Sequence, residues 1–447
     1  MTTLQIGTLY GSATFVALFS GMPIAFAVGA VALVFMFVFM PAANIGLVAE
    51  TIYSELDNFT LLTIPLFVLM GAAVGKSRAG ADLYSSLNRW LNRVPGGLGV
   101  ANVLACSVFA AMCGSSPATC SAIGSSGIPQ MRARGYSEEL ATGLIAAGGT
   151  LGILIPPSLT LILYGLASEQ SIGKLFMAGI GPGILLTVLF IVWVVFKFRR
   201  EKARLLAGQS SGAGKAVLDE EHFTWGQRLE TLPRFLPFLI VIALIMVALY
   251  GGWATPSEVA GIGAFFSLLM VVLIYRCYKW EDMRVILGGT VRESCMVMMI
   301  IAMSFLYTYV MSYLHVTQEV ALWLTTLPLS KWVFFFWVNV LLVVLGFFLP
   351  PVAIILMVTP ILLPALKTHD FDLIWFGVII TILMEMGLIH PPVGLNLFVI
   401  NGIAPDIPLA RIVWGVIPFI ILMVLSIALL CFVPDIAVWL PNHYLGK

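Results

Sequence analysis

The sequence predicts an all-α polytopic membrane protein made of two inverted-topology repeats. Each repeat has five spans, one of them broken at mid-membrane, and a re-entrant helical hairpin. Three observations predict this. First, the chain is 60% hydrophobic and only 10% charged, with mean hydropathy +1.03, where soluble proteins carry about 25% charged residues. Its apolar residues fall in long runs, not in the short alternating segments of a membrane barrel. Second, two of these runs, residues 138–169 and 372–403, are long enough to cross a bilayer, which takes ~20 residues, yet both are interrupted at their centres. The first holds Gly148-Gly149-Thr150-Leu151-Gly152 and then Pro156-Pro157-Ser158; the second holds Met386-Gly387-Leu388-Ile389-His390-Pro391-Pro392-Val393-Gly394. Proline lacks an amide donor and clashes with the preceding turn, and glycine disfavours helix. Backbone freed at that depth is tolerated only where it is buried in protein or lines a watery cavity. Third, a shift of 235 residues lays Ile128-Pro129 on Leu363-Pro364, Pro156-Pro157 on Pro391-Pro392, Gly152 on Gly387 and Ser115-Ser116 on Pro350-Pro351. A single proline kink is common in membrane helices; one register kept across two unusual features is a repeat.

In chain order, residues 4–20 and 23–40 read as two spans joined by a tight turn. Nothing basic precedes the first apolar run, so it reads as a span, not as a removed signal. Residues 44–59, with Glu50, Glu55 and Asp57, read as interfacial, and 61–75 as a third span. Residues 76–95 interleave Lys76, Arg78, Asp82, Arg89 and Arg93 with Leu83, Leu87, Trp90 and Leu91, the pattern of an amphipathic helix at the headgroups. Residues 96–131 are apolar around a Gly114-Ser115-Ser116 tip and read as a re-entrant hairpin. The broken helix 138–169 and a span at 172–196 complete the first repeat, 1–199. Residues 200–233 read as a hydrophilic cytoplasmic linker. Its Gly208-Gln209-Ser210-Ser211-Gly212-Ala213-Gly214-Lys215-Ala216 faintly resembles a phosphate-binding loop but has the wrong spacing and lacks the Ser or Thr after Lys215. The second repeat, 234–447, reads as spans 234–250, 256–275 and 292–313, a hairpin at 331–367 centred on Leu349-Pro350-Pro351, the broken helix 372–403 and a span at 412–433.

Five crossings per repeat is an odd number, so the second repeat starts from the opposite face. With the linker in the cytoplasm, 19 of the 23 Lys and Arg fall on the cytoplasmic side, as the positive-inside rule requires. The first hairpin then enters from the cytoplasm and the second from outside, and both termini lie outside. Trp90, Trp253, Trp323, Trp332 and Trp439 sit near span ends, as in an aromatic belt. Net charge is +1, and no nucleic-acid partner is expected beside the lipid bilayer. The six cysteines form no CxxC; Cys106, Cys113 and Cys120 read as small apolar packers, with no disulfide framework or transition-metal site. No HExxH occurs and no Ser/His pair lies at matching depth, so neither an enzyme nor a cofactor is expected.

Paired broken helices in a repeat point to a secondary transporter with its site at the midplane. Half-helix N-termini suit an anionic substrate group; unwound carbonyls and hydroxyls suit Na+. One expected Na+ site joins Gly114, Ser115, Ser116 and Thr119 to Gly148, Gly149 and Thr150. The other joins Leu349, Pro350 and Val352, through carbonyls, to Glu385 and Gly387. Substrate contacts are expected from Ser116, Pro156, Pro157, Ser158, His390, Pro391 and Asn396. Interhelical hydrogen bonding is the alternative for Ser115 and Ser116. Glu385 is the one acidic residue placed within a span and is functional by default, with a structural hydrogen bond as its alternative; it is expected to face the Pro350-Pro351 tip. His390 is open between substrate donor, proton carrier and packed imidazole. A channel would also have re-entrant hairpins, but no filter sequence repeats.

Cys113-Gly114-Ser115-Ser116-Pro117-Ala118-Thr119, Gly149-Thr150-Leu151-Gly152-Ile153-Leu154-Ile155-Pro156-Pro157-Ser158 and Met384-Glu385-Met386-Gly387-Leu388-Ile389-His390-Pro391-Pro392-Val393-Gly394-Leu395-Asn396 carry a resemblance over essentially the whole chain. The chain resembles the large membrane subunit of TRAP transporters (tripartite ATP-independent periplasmic, the DctM-like family). That resemblance implies an elevator-type, Na+-driven uptake system of the bacterial inner membrane. A periplasmic binding protein would deliver an organic acid, and a small four-helix membrane subunit would pack alongside, expected as a separate polypeptide because the chain opens on its first span. Hairpins and broken helices would move against a scaffold of the other spans and interfacial arms. The family often has Thr where His390 stands here. The alternatives are an ion-coupled carboxylate carrier that works without a binding protein, or an anion channel.

Overall fold

Local sequence sets where the helices start and stop. A computed structural model of the chain describes residues 2–208, 223–326, 328–444 and 446, and the described residues contain no strand. Thr2 and Gln5 form a capping box that starts α1 (Thr3–Phe19), satisfying two otherwise orphaned amides. Pro23 then precedes α2 (Ile24–Phe39). The interfacial segment is α3 (Leu47–Leu56) between two 3-10 turns, and it leads into α4 (Thr63–Lys76) and the amphipathic α5 (Ala79–Leu91). α6 (Gly97–Cys113) ends on Gly114 at φ +59, and α7 (Ser116–Ala133) restarts immediately. Ser137 caps α8 (Glu138–Leu154) and Ser158 caps α9 (Leu159–Ser168); the two are bent by 42° at the Gly/Pro break. α10 runs from Ile172 to Gly208.

After α11 (Trp225–Leu229) come α12 (Leu232–Tyr250), α13 (Pro256–Leu273, with a Thr255/Glu258 capping box), α14 (Trp280–Tyr313) and α15 (Val316–Thr326). α16 (Lys331–Gly346) and α17 (Pro351–Thr368) meet at residues 347–350. α18 (Leu373–Ile389) and α19 (Leu395–Ile403) meet at residues 390–394. α20 (Leu409–Phe432) and α21 (Asp435–Tyr444) finish the chain.

Among the described residues, seven helical segments are long and apolar enough to cross a membrane, and the bent α8–α9 pair makes an eighth if counted as one span. α1, α2 and α18 are apolar at 16 or 17 residues, just under the ~20 needed. α17, expected as one arm of a hairpin, is itself among those long enough. Two expected boundaries need correction. α10 continues through Lys197 to Gly208, where a loop was expected. Its polar end is tied to the start of α8, with Lys197 Nζ 3.9 Å from Glu201 and Glu201 accepting from the Ser137 hydroxyl at 2.6 Å. α14 begins 12 residues before the expected span, so Glu293 lies inside a long helix. α15 was not expected. The Gly212-to-Lys215 match and most of the linker lie outside the described residues.

α8 is buried without interruption from Leu140 to Leu154, and α18 from Ile374 to Ile389. Glycine makes the closest crossings possible: a Cβ on Gly143 would lie 2.1 Å from the Gly415 carbonyl oxygen, and one on Gly415 2.2 Å from that of Glu139. α8 and α20 thus touch backbone to backbone, as small residues allow in membranes. Gly152 meets Ala110 of α6 and Gly387 meets Gly346 of α16 in the same way. A second apolar cluster joins α1, α2 and α14. There Tyr10 stacks on Tyr307 at 4.3 Å, and Phe35 packs edge-on against Tyr10 at 4.6 Å.

Candidate functional site

The α6–α7 tip is held from three directions. Asn396, fully buried on α19, donates through Nδ2 to the Ser116 hydroxyl at 2.7 Å and to the Ala146 carbonyl of α8 at 2.9 Å. One amide therefore ties the first tip, the first broken helix and the second broken helix together. Its Oδ1 is buried with no hydrogen-bond partner among the described residues. Gly149 faces the same point: a Cβ there would sit 3.0 Å from the Ser116 carbonyl oxygen and 2.3 Å from Cys120 Sγ. Gly148 lies against Cys106, and Cys120 Sγ of α7 donates to the Ile145 carbonyl of α8 at 3.3 Å, so Cys106 packs and Cys120 hydrogen-bonds between helices.

Ser116 and Gly149 thus meet where the start of α7 lies against α8, while Gly148 faces α6. The hydroxyls beside them are spent locally. Thr119 donates to the Ser115 carbonyl at 3.0 Å and Thr150 to the Ala147 carbonyl at 2.8 Å. Ser158 donates to the Ile153 carbonyl and caps α9 by accepting from Leu161 N. Pro156 and Pro157 are buried. Gly114, Ser115 and Pro157 line a cavity of about 280 Å³ that runs between α4 and α14, with Lys76 and Glu293 in its wall.

The second tip is arranged differently. Leu349, Pro350 and Gly387 line an apolar cavity of about 180 Å³ together with Met384 and Leu388. Glu385 and Val352 do not line it. Glu385 is fully buried, and its neighbours Met384, Gly387 and Leu388 line this cavity. Both carboxylate oxygens are buried without a hydrogen-bond partner among the described residues. The Pro350 carbonyl already accepts from Ala353 and Ile354 at the start of α17. His390 stacks on Phe347 with ring centroids 4.2 Å apart, and its Nδ1 contacts the Pro391 carbonyl. Of its three open readings, this geometry describes a packed imidazole.

At the more basic end of the bundle Arg132 binds Asp406 at 2.5 Å and Glu138 at 3.4 Å, while Arg411 binds Glu138 at 2.6 Å. This exposed network joins α7 to α8 and α20. The hydrogen bond from Arg132 holds the Asp406 carboxyl below the usual carboxylate range.

Sequence reasoning missed Glu293 because Arg292-Glu293 was taken as the edge of a span. The signal was present: Ile286, Thr290, Ser294, Val297 and Ile301 recur at helical spacing straight through those charges and are all buried, and such periodicity marks one helix face.

Residues 12–436 match the family model described as tripartite ATP-independent periplasmic transporter, DctM component. The chain is 34% identical to the C4-dicarboxylate TRAP transporter large permease protein DctM of Pseudomonas aeruginosa over 88% of this chain and 89% of the relative. It is 32% identical to the isethionate TRAP transporter permease protein DctMQ of Oleidesulfovibrio alaskensis, over 93% of this chain and 63% of the relative. It is 27% identical to the sialic acid TRAP transporter large permease protein SiaM of Vibrio cholerae over 99% of both chains. Its fold is similar to that of the Alcanivorax borkumensis YdaH transporter, with a TM-score of 0.60, 15% identity and 91% of each chain covered.

Proposed function

The chain belongs to the DctM family of tripartite ATP-independent periplasmic transporters, and on that premise we propose that it moves an organic acid inward, coupled to Na+, by an elevator motion. A periplasmic binding protein delivers the substrate and a separate small membrane subunit completes the permease. The relatives whose names state C4-dicarboxylates, sialic acid and isethionate all handle compounds with an anionic acid group. The isethionate relative's name joins M and Q components, and this chain covers 63% of it, which supports a partner subunit.

The observation that carries the reading is the Asn396 brace. A polar amide and a serine hydroxyl meet at the broken centre of two helices, and the free amide oxygen has no protein partner there among the described residues. Buried polar groups left unpaired are costly, and an oxygen so placed suits a hard cation such as Na+. The Ser116 hydroxyl, Asn396 Oδ1 and neighbouring carbonyls then form the first Na+ site, and Glu385 serves the second. α6–α9 and α16–α19 form the moving unit. The cluster around Tyr10 and Tyr307 belongs to the scaffold.

Ser116→Ala is expected to raise the Na+ concentration for half-maximal uptake about tenfold, the size of one hydrogen-bonding or ligand contact to a charge, with assembly unchanged. A wild-type Na+ response would make Ser116 a purely structural hydroxyl.

The proposed sidedness places the chain in the bacterial inner membrane with the more basic face in the cytoplasm and both termini in the periplasm. In a background with the native cysteines replaced, Cys at Glu230 should react with an impermeant maleimide only from the cytoplasm, and Cys at Thr326 only from outside. The reverse pattern would overturn this sidedness, and labelling of both from one side would overturn the ten-span, two-hairpin topology.

A further inference from the structure

We propose that the polar cavity between α5 and the C-terminal end of α7 binds the phosphate of an anionic phospholipid headgroup. The site is separate from the helix breaks and goes beyond the transport reading. Only its assignment to the cytoplasmic leaflet rests on the sidedness proposed above.

The cavity has a volume of about 340 Å³, within the ~300–1,000 Å³ usual for small-molecule sites. Ser85, Asn88 and Arg89 line it from α5, Gln130 and Arg134 from α7 and its C-cap, and Phe223 from the segment before α11. Arg89 donates from Nη1 to the Gln227 carbonyl at 3.3 Å, and its guanidinium lies 5.6 Å from the centre of the Phe223 ring. A guanidinium has five N–H donors, in a planar fork that matches phosphate oxygens. Asn88 is only 7% exposed, lines the same cavity, and its side chain has no hydrogen-bond partner among the described residues. A buried amide left that way is costly, and an oxyanion in the cavity would accept from it. No acid among the described residues lines the cavity, and the one acid on α5, Asp82, stands 3.8 Å from Arg234. Guanidinium, amide and hydroxyl donors without a carboxylate suit a phosphate and exclude a cation.

The surroundings select a lipid over a free phosphate ion. Two residues past Phe223, Trp225 is exposed, with the guanidiniums of Arg93 and Arg228 at 5.8 and 5.2 Å from its ring centre. Exposed tryptophan marks the headgroup layer. The Ser86 hydroxyl donates to the Thr231 carbonyl at 3.4 Å, which sets the start of α12 against α5. On α12, exposed Leu236, Ile240 and Leu244 recur every four residues, an apolar stripe on which an acyl chain can lie. The Trp225–Tyr250 span is 28% buried, the lowest share among the seven. Basic pockets between membrane helices on the cytoplasmic side take anionic headgroups. The Tyr84 hydroxyl donates to Gln130 Oε1 at 3.2 Å, so the lipid would sit at the joint between amphipathic α5 and the first hairpin.

Native mass spectrometry of the full chain in detergent tests this, with titration of phosphatidylglycerol, of phosphatidylethanolamine with the same acyl chains, and of inorganic phosphate. Wild type is expected to hold one phosphatidylglycerol about tenfold more tightly than phosphatidylethanolamine, whose ammonium meets the same arginines, and inorganic phosphate should not displace it. Arg89→Gln and Asn88→Asp should each weaken phosphatidylglycerol about tenfold or more, and Arg89→Lys should retain most of the binding. The comparison of the three ligands on wild type needs no variant to fold. Equal retention of the two lipids, displacement by inorganic phosphate, or unchanged affinity in both variants overturns the proposal. So does binding that appears only after Asp219, Glu220 and Glu221, which precede Phe223 in the chain, are changed to Asn and Gln, because the chain's own acids would then fill the cavity.

Discussion

Glu385→Gln is expected to raise the Na+ concentration for half-maximal uptake by about tenfold or more and to flatten its dependence on pH. The side chain lies in the C-terminal part of the buried α18, two residues before Gly387, and neither carboxylate oxygen meets a protein donor among the described residues. An ionised carboxylate left that way is among the costliest groups a protein can bury. A cation beside it, or a proton on it, removes that cost. The account assigns the cation to the loaded state and the proton to the empty one, so Na+ and H+ compete and uptake needs more Na+ at lower pH. Glutamine keeps the shape and removes the competition. Measuring Na+ activation curves at high and low pH for both proteins decides the matter. Equal Na+ affinities at both pH values would make Glu385 a buried neutral acid with a packing role.

Gly143→Ala should have the largest effect on stability. A methyl there would sit 2.1 Å from the Gly415 carbonyl oxygen and 2.3 Å from its carbon. Both are backbone atoms, so no rotamer relieves the contact and α8 must move off α20. Overpacked cores lose typically ~1–3 kcal/mol, and a clash with backbone belongs at the top of that range. Gly289→Ala on α14 has nothing within 4 Å of its Cβ and should be neutral or gain up to about 1 kcal/mol from helix propensity. Thermal unfolding midpoints in detergent compare the two. A Gly143→Ala midpoint equal to that of Gly289→Ala would mean that the two helices do not meet at this spacing.

The contrast between these residues shows what the sequence could carry. Breaks at residues 155–158 and 390–394 were legible because proline and glycine act locally, on the backbone of their own helix. The membrane class was legible from composition alone. The polar continuation of α10 and the early start of α14 were not, because hydropathy ends where charge begins while the helix does not. Within the site, Ser116 and Gly149 could be named from their place at breaks. The bond from Asn396 to Ser116 required knowing which face α19 turns towards α7, and that is decided by packing between segments 280 residues apart. Glu385 was picked out as a charge in an apolar run, but its facing was not legible. A 17-residue helix buried along its whole length gives no amphipathic stripe from which to read a facing. His390 kept three readings open until Phe347 was found against its ring.

The central claim is carrier function coupled to Na+ and fed by a binding protein. Reconstitution of the chain with its small subunit into liposomes tests it most directly, with binding protein and an inward Na+ gradient supplied singly, together or not at all. The account predicts accumulation of substrate only when both are present. One Na+ driven by 100 mV supplies ~2.3 kcal/mol, so even one or two coupled ions would concentrate substrate strongly. Accumulation with the Na+ gradient alone would point to a carboxylate carrier that needs no binding protein. Fast passive flux from either side with neither would point to a channel, and either result would contradict the account.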